Sequence, residues 1–133
     1  MATINKFEEL ECWQFARELS KQVYEITLQL PLNKDYSLRD QIRSSSGSVM
    51  DNIAEGFDRG GNKEFRQFLS IAKASCAEVR SQLYRCKDQE YISPEVFDEL
   101  YAKAERIGKA ITGLMKYLSA TEIKGNKYKT QQP

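Results

Sequence analysis

The sequence predicts an all-α fold, an antiparallel up-down-up-down four-helix bundle. Three observations predict it. Four apolar stripes recur at steps of three and four residues, the period of one helix face. The segments between the stripes are short, which makes consecutive helices antiparallel neighbours. Turn and cap residues fall where the stripes stop.

The first stripe is Leu10, Trp13, Ala16, Leu19, Val23, Ile26 and Leu30, and it stops at Pro31, so a helix over about 7–30 is expected. The second is Leu38, Ile42, Ser46, Val49, Ile53 and Phe57, for a helix over about 36–58. It crosses Arg43-Ser44-Ser45-Ser46-Gly47-Ser48, which by composition alone reads as a loop. Because the stripe stays in phase, a helix with a small-residue patch is favoured over a break at Gly47, although glycine costs about 1 kcal/mol inside a helix. Gly60-Gly61 makes the next turn. The third stripe is Phe65, Leu69, Ala72, Cys76, Val79, Leu83 and Cys86, for a helix over about 63–90, with Asn62 available as its cap. The fourth is Phe97, Leu100, Ala104, Ile107, Ile111, Leu114 and Leu118, for a helix over about 94–119. Ser93-Pro94-Glu95 gives it an N-cap, a proline at its first position and an acid in its first turn. Residues 121–133 are polar, carry Lys124, Lys127 and Lys129, and are expected to be a disordered tail.

Composition narrows the function classes. With 133 residues, 41% of them hydrophobic, the chain suits one domain with one core. Its net charge of +1 is far below that of proteins held to nucleic acid by bulk attraction. No apolar run approaches the roughly 18 residues that span a bilayer, and Met1-Ala2-Thr3-Ile4-Asn5-Lys6 carries no secretory h-region. A cytoplasmic protein without membrane contact is expected. The chain has no histidine, which removes Ser-His-Asp and Cys-His nucleophile activation and the Glu-x-x-His metal sets of helical bundles. Cys12, Cys76 and Cys86 are an odd number without a secretory context, and about 15 Å of helix separates the last two. They read as small buried hydrophobes. No catalytic residue, cofactor, metal or small-molecule substrate is expected.

Along its length the chain resembles the four-helix-bundle proteins encoded in intervening sequences of bacterial 23S rRNA genes, a family related to accessory proteins of diversity-generating retroelements. The resemblance rests on Trp13 and Ala16; on Tyr36, Leu38, Gln41 and Arg43; on Ser48, Asn52-Ile53-Ala54-Glu55-Gly56 and Arg59; and on Phe65, Phe68-Leu69, Ala72, Ser75 and Glu78. It implies an up-down-up-down bundle that assembles as a ring-like homo-pentamer. In the retroelement branch it implies a scaffold for a nucleic-acid enzyme and for nucleic acid. In the intervening-sequence branch it implies no activity.

Two sets of polar residues are candidates for function. Arg43, Asn52, Glu55, Arg59, Ser75 and Glu78 form the first. Asn52, Glu55 and Arg59 are spaced three and four, on one side of the second helix. They read either as an interhelical hydrogen-bond network that fixes register, or as a recognition site for a partner. A Glu55–Glu78 acid–base pair is chemically conceivable but has no nucleophile beside it. The second set is two heptad rows: Arg66, Lys73, Arg80 and Lys87 on the third helix, and Glu11, Glu18 and Glu25 on the first. These read as solvated faces, as complementary surfaces of neighbouring copies, or, for the basic row, as a track for phosphates. The tyrosines are dispersed along the sequence and read as bundle-edge packing rather than base-stacking platforms. The expected role is a non-enzymatic, homo-oligomeric scaffold associated with RNA or a nucleic-acid enzyme. A protein–protein module without nucleic acid is the alternative.

Overall fold

The computed structural model describes residues 3–123. Among these residues the structure is helical, with no strand. Four long helices, α1 (Glu11–Thr27), α2 (Tyr36–Asp58), α3 (Asn62–Asp88) and α4 (Pro94–Ile123), are joined by short connections. α1 packs against α2 and α4, and α3 packs against the same two, so the bundle is a square with α1 and α3 on one diagonal. The four stripes meet along its axis. Leu19, Val23, Ile42, Val49, Ile53, Leu69, Val79, Leu83, Ile107, Ile111 and Leu118 are wholly removed from solvent. Each such side chain contributes about 1.5–3 kcal/mol of burial free energy.

The local boundaries differ from the sequence expectation in four places. The first helix is shorter than 7–30. Phe7–Glu9 is a separate 3-10 turn, and Leu10 is extended, with φ −75° and ψ 127°. α1 ends at Thr27, and Leu32–Lys34 forms a second 3-10 turn that returns Leu32 to the core. Asn62 is not the cap of α3. Gly61 occupies that position, and Asn62 is buried with its Nδ2 donating to the Leu118 carbonyl at 3.1 Å. A cap seeks its own helix's amides, but Asn62 is drawn across the bundle because a buried amide needs a partner. α4 runs to Ile123 rather than stopping near 119, and buried Thr121 donates its hydroxyl to the Tyr117 carbonyl. The rest of the expected tail, 124–133, lies outside the described residues.

α2 runs unbroken through the serine stretch. Ser45 and Ser46 are buried and return their hydroxyls to the carbonyls of Gln41 and Arg43. The polar groups are thereby satisfied inside their own helix, and a few residues on, Ser48 of the same stretch meets Ser75 of α3. α2 and α3 are in close contact at Gly56, where a Cβ would lie 2.5 Å from Cβ of Phe68. Gly60 turns the chain at φ +82°, a conformation that side chains with a Cβ resist.

The α2 N-terminus is fixed by a residue that the sequence reading passed over. Asp35 accepts from the Leu38 amide at 3.2 Å through Oδ1 and from the Tyr91 hydroxyl at 3.0 Å through Oδ2. One carboxylate therefore caps a helix and ties it to the α3–α4 connection. The hydrogen bond to Asp35 raises the Tyr91 phenol above its usual value.

Candidate functional site

The six residues expected as one polar network are divided among separate places. Asn52, Ser48 and Ser75 form a small seam between α2 and α3. Asn52 Nδ2 donates to the Ser48 carbonyl (2.8 Å) and to Ser48 Oγ (2.9 Å), and Ser75 Oγ donates to Ser48 Oγ at 3.0 Å. Ser48, which the motif contains only as its first letter, is the hub. Glu55 and Arg59 form an i,i+4 pair at 2.8 Å, with both side chains about half exposed, and Arg59 also lies over the Phe68 ring. Such an exposed pair contributes little to stability. Arg43 turns the other way, to α1, where its Nε donates to Thr27 Oγ1 at 2.7 Å and its guanidinium covers the Tyr24 ring at 4.5 Å. Glu78 stands exposed on the outer face of α3. The arrangement fits helix registration, with no enclosed pair of carboxylates.

The acidic row and the basic row have different surroundings. Glu11, Glu18 and Glu25 are all exposed, and Glu18 approaches Lys103 of α4 at 3.8 Å within the same chain. The basic row instead follows the seam between α3 and α4. Arg66 donates to Asn62 Oδ1 (3.0 Å) and to Ser119 Oγ (3.3 Å). Lys87 lies 4.5 Å from the centre of the Phe97 ring. Between these ends, Lys73 and Arg80 form one wall of an open cleft of about 440 Å³. Lys109 and Lys116 of α4 form the other wall, and Ala104, Gly108, Thr112 and Gly113 lie along it. One acid, Glu105, lines the same cleft. The α4 cations were missed because Lys109 and Lys116 repeat only once. Their spacing of seven residues, matching Lys73 to Arg80, was the available signal.

Two features of this cleft suit an anion. The four cations stand on facing helices and are held apart by the backbones, so a bound anion meets charges already in place. The low side chains of the α4 wall leave room above it, since a Cβ on Gly108 or Gly113 would meet nothing within 4 Å.

The three cysteines are free and buried. Burial pushes the thiols of Cys12 and Cys76 up to about 12 and that of Cys86 up to about 11. A thiol at such a value is not a nucleophile at neutral pH. The folded state holds these protons more tightly than the unfolded state. The associated stability is therefore complete below about pH 9, the ordinary thiol value, and is lost as pH rises towards about 12. A disulfide reagent at pH 8 is expected to leave the native chain almost unmodified and to titrate every thiol in denaturant. Rapid native labelling would contradict this burial. Among the described residues, no three His, Cys, Asp or Glu side chains are placed to share a metal ion. No described helix is long and apolar enough to cross a membrane.

Fold and site together define a small four-helix-bundle protein with a hydroxyl and amide seam between α2 and α3, and a cationic cleft between α3 and α4. Residues 8–113 match the family of the 23S rRNA-intervening sequence protein, and the chain belongs to that family. Among solved structures, it is similar to a protein of unknown function from the S23 ribosomal protein family of Bacteroides thetaiotaomicron. The two are 21% identical with a TM-score of 0.74, over 79% of this chain and 95% of the other. That likeness shows the fold. None of the curated proteins matches the chain.

Proposed function

We propose that this protein is a non-enzymatic scaffold, assembled from several copies in the cytoplasm, that binds RNA along the α3–α4 cleft. The observation that carries the reading is the set of four cations, Lys73, Arg80, Lys109 and Lys116, on the two walls of one open groove. A near-neutral chain gains phosphate affinity by concentrating its positive charge in this way rather than by net charge. Free, buried cysteines suit a reducing compartment. The retroelement resemblance adds a nucleic-acid enzyme to the partners proposed for the scaffold.

RNA binding is expected at low salt and should weaken steeply as salt is added. With four phosphates engaged, the logarithm of affinity should fall with the logarithm of salt at a slope of about −3. The double variant Lys73→Glu, Lys116→Glu should lose binding by at least about 100-fold while keeping its melting temperature. A flat titration of the parent protein at low salt would reject the reading.

Self-assembly is supported by the corner between α1 and α2. Four of the exposed large hydrophobic residues gather there: Tyr24, Leu28, Leu30 and Tyr36. Arg43 covers Tyr24 and Arg39 covers Tyr36, at 4.5 and 4.9 Å. Tyr, Arg and apolar neighbours are the composition of interface centres. Five copies is the number that the family resemblance implies. The double variant Leu28→Asp, Leu30→Asp is expected to lower the mass measured by light scattering. Reversal of Glu11, Glu18 and Glu25 to Lys should leave the mass unchanged. A parent protein of single-chain mass would overturn the assembly. The same corner also supports the second reading, a protein–protein module without nucleic acid, which gains if assembly is found and RNA binding is not.

A further inference from the structure

The cationic cleft does not end at Arg80. One helical turn further along α3, Tyr84 stands 49% exposed against α4. It contacts Phe97 (ring centroids 4.9 Å apart) and Tyr101 (5.6 Å), and these two stack on each other at 5.3 Å with an interplanar angle of 29°. These tyrosines are dispersed along the sequence, yet the fold gathers them at one end of the groove. Arg80 joins the two regions, since it lines the cleft and lies 5.9 Å from the centre of the Tyr101 ring. Beyond the aromatic cluster, Lys87 lies over Phe97.

The order along the groove is therefore cations, an exposed aromatic, then another cation. From Lys73 to Lys87 it extends about 21 Å. Grooves that follow a single-stranded backbone while exposed rings take up its bases have this composition. A duplex fits it poorly. Packed helices stand about 8–10 Å apart, so the facing cations enclose room for one phosphate chain, and a duplex offers no unstacked base to Tyr84. Tyr84 is also held in place by Phe97 and Tyr101 before any ligand arrives, which lowers the ordering cost of stacking on it.

We infer that the α3–α4 groove takes single-stranded RNA, with Lys73, Arg80, Lys109 and Lys116 on the phosphates and Tyr84 as a stacking platform for a base. The inference rests on the RNA reading above and adds the class of RNA and the residue that selects it. Among the described residues Glu105 is the one carboxylate on the cleft walls, and it opposes phosphate there.

The test is fluorescence anisotropy on the full chain at low salt. The probes are a labelled oligouridylate of about twelve nucleotides, the deoxy strand of equal length and an RNA duplex of equal length. The single-stranded RNA should bind at least about 10-fold more tightly than the duplex. Tyr84→Leu, which keeps an apolar contact with Phe97 but removes the π-face, should weaken single-strand binding by about 10-fold and leave duplex binding unchanged. Tyr84→Phe should bind like the parent, and Glu105→Gln more tightly. Equal affinity for strand and duplex, with no effect of Tyr84→Leu, would overturn the inference. If Lys73→Glu, Lys116→Glu still abolished binding in that case, the cleft reading would survive. A preference for the deoxy strand would overturn the assignment to RNA. Absence of binding to all three probes would remove both the inference and the reading on which it rests.

Discussion

Replacing Phe65 by alanine is expected to lower unfolding stability by about 3–5 kcal/mol. Phe65 is 1% exposed and meets the Phe57 ring edge-to-face, with centroids 5.7 Å apart. It closes the end of the bundle at which α2 turns into α3. Its loss removes transfer free energy and leaves a cavity that two long helices cannot collapse to fill. Domains of this size are stable by only about 5–15 kcal/mol, so the variant should melt far below the parent. Calorimetric or circular-dichroism melting tests this, and a loss under about 1 kcal/mol would mean that the α2–α3 end is not packed as described.

Gly56→Ala is expected to cost about 1–3 kcal/mol or more, although alanine is the better helix former by about 1 kcal/mol. The added Cβ would meet Cβ of Phe68 at 2.5 Å and Cδ1 of Phe65 at 3.2 Å. Cβ of Phe68 cannot swing away by changing rotamer, so α2 and α3 must separate. Gly47 is the control. It lies in the same helix, a Cβ there would meet nothing within 4 Å, and Gly47→Ala should stabilise the fold by up to about 1 kcal/mol. The opposite signs test the packing with two substitutions of the same kind. If Gly56→Ala also raised the melting temperature, the close crossing of α2 and α3 would be refuted. This crossing supplies a physical reason for glycine at the end of Asn52-Ile53-Ala54-Glu55-Gly56.

Periodicity revealed the bundle because burying one face of each helix is a local property of the sequence. The stripes from Leu38 to Phe57 and from Phe97 to Leu118 state directly which side of each helix leaves water. The same reasoning carried α2 through Ser44–Ser48 against its loop-like composition, because phase is preserved whatever the local propensity. It failed at Leu10, Thr27 and Asn62. The ends of helices are decided by competition among a few hydrogen bonds, and the winning partner, such as the Leu118 carbonyl for Asn62, is distant in sequence.

The candidate site was legible only in part. The row Arg66, Lys73, Arg80 and Lys87 was visible because a seven-residue repeat returns to nearly the same side of a helix. Its partners Lys109 and Lys116, and the gathering of Tyr84, Phe97 and Tyr101, come from the antiparallel register of α3 and α4. The division of the expected polar network has the same origin. Arg43 reaches α1 and Ser48 is met by Ser75 of α3, because different turns of α2 serve different neighbours. The sequence by itself determined the number of helices, their order and their buried faces, since each depends on residues close in the chain. Only the tertiary structure decided which charged and aromatic side chains share a surface, because that depends on how two helices are set against each other.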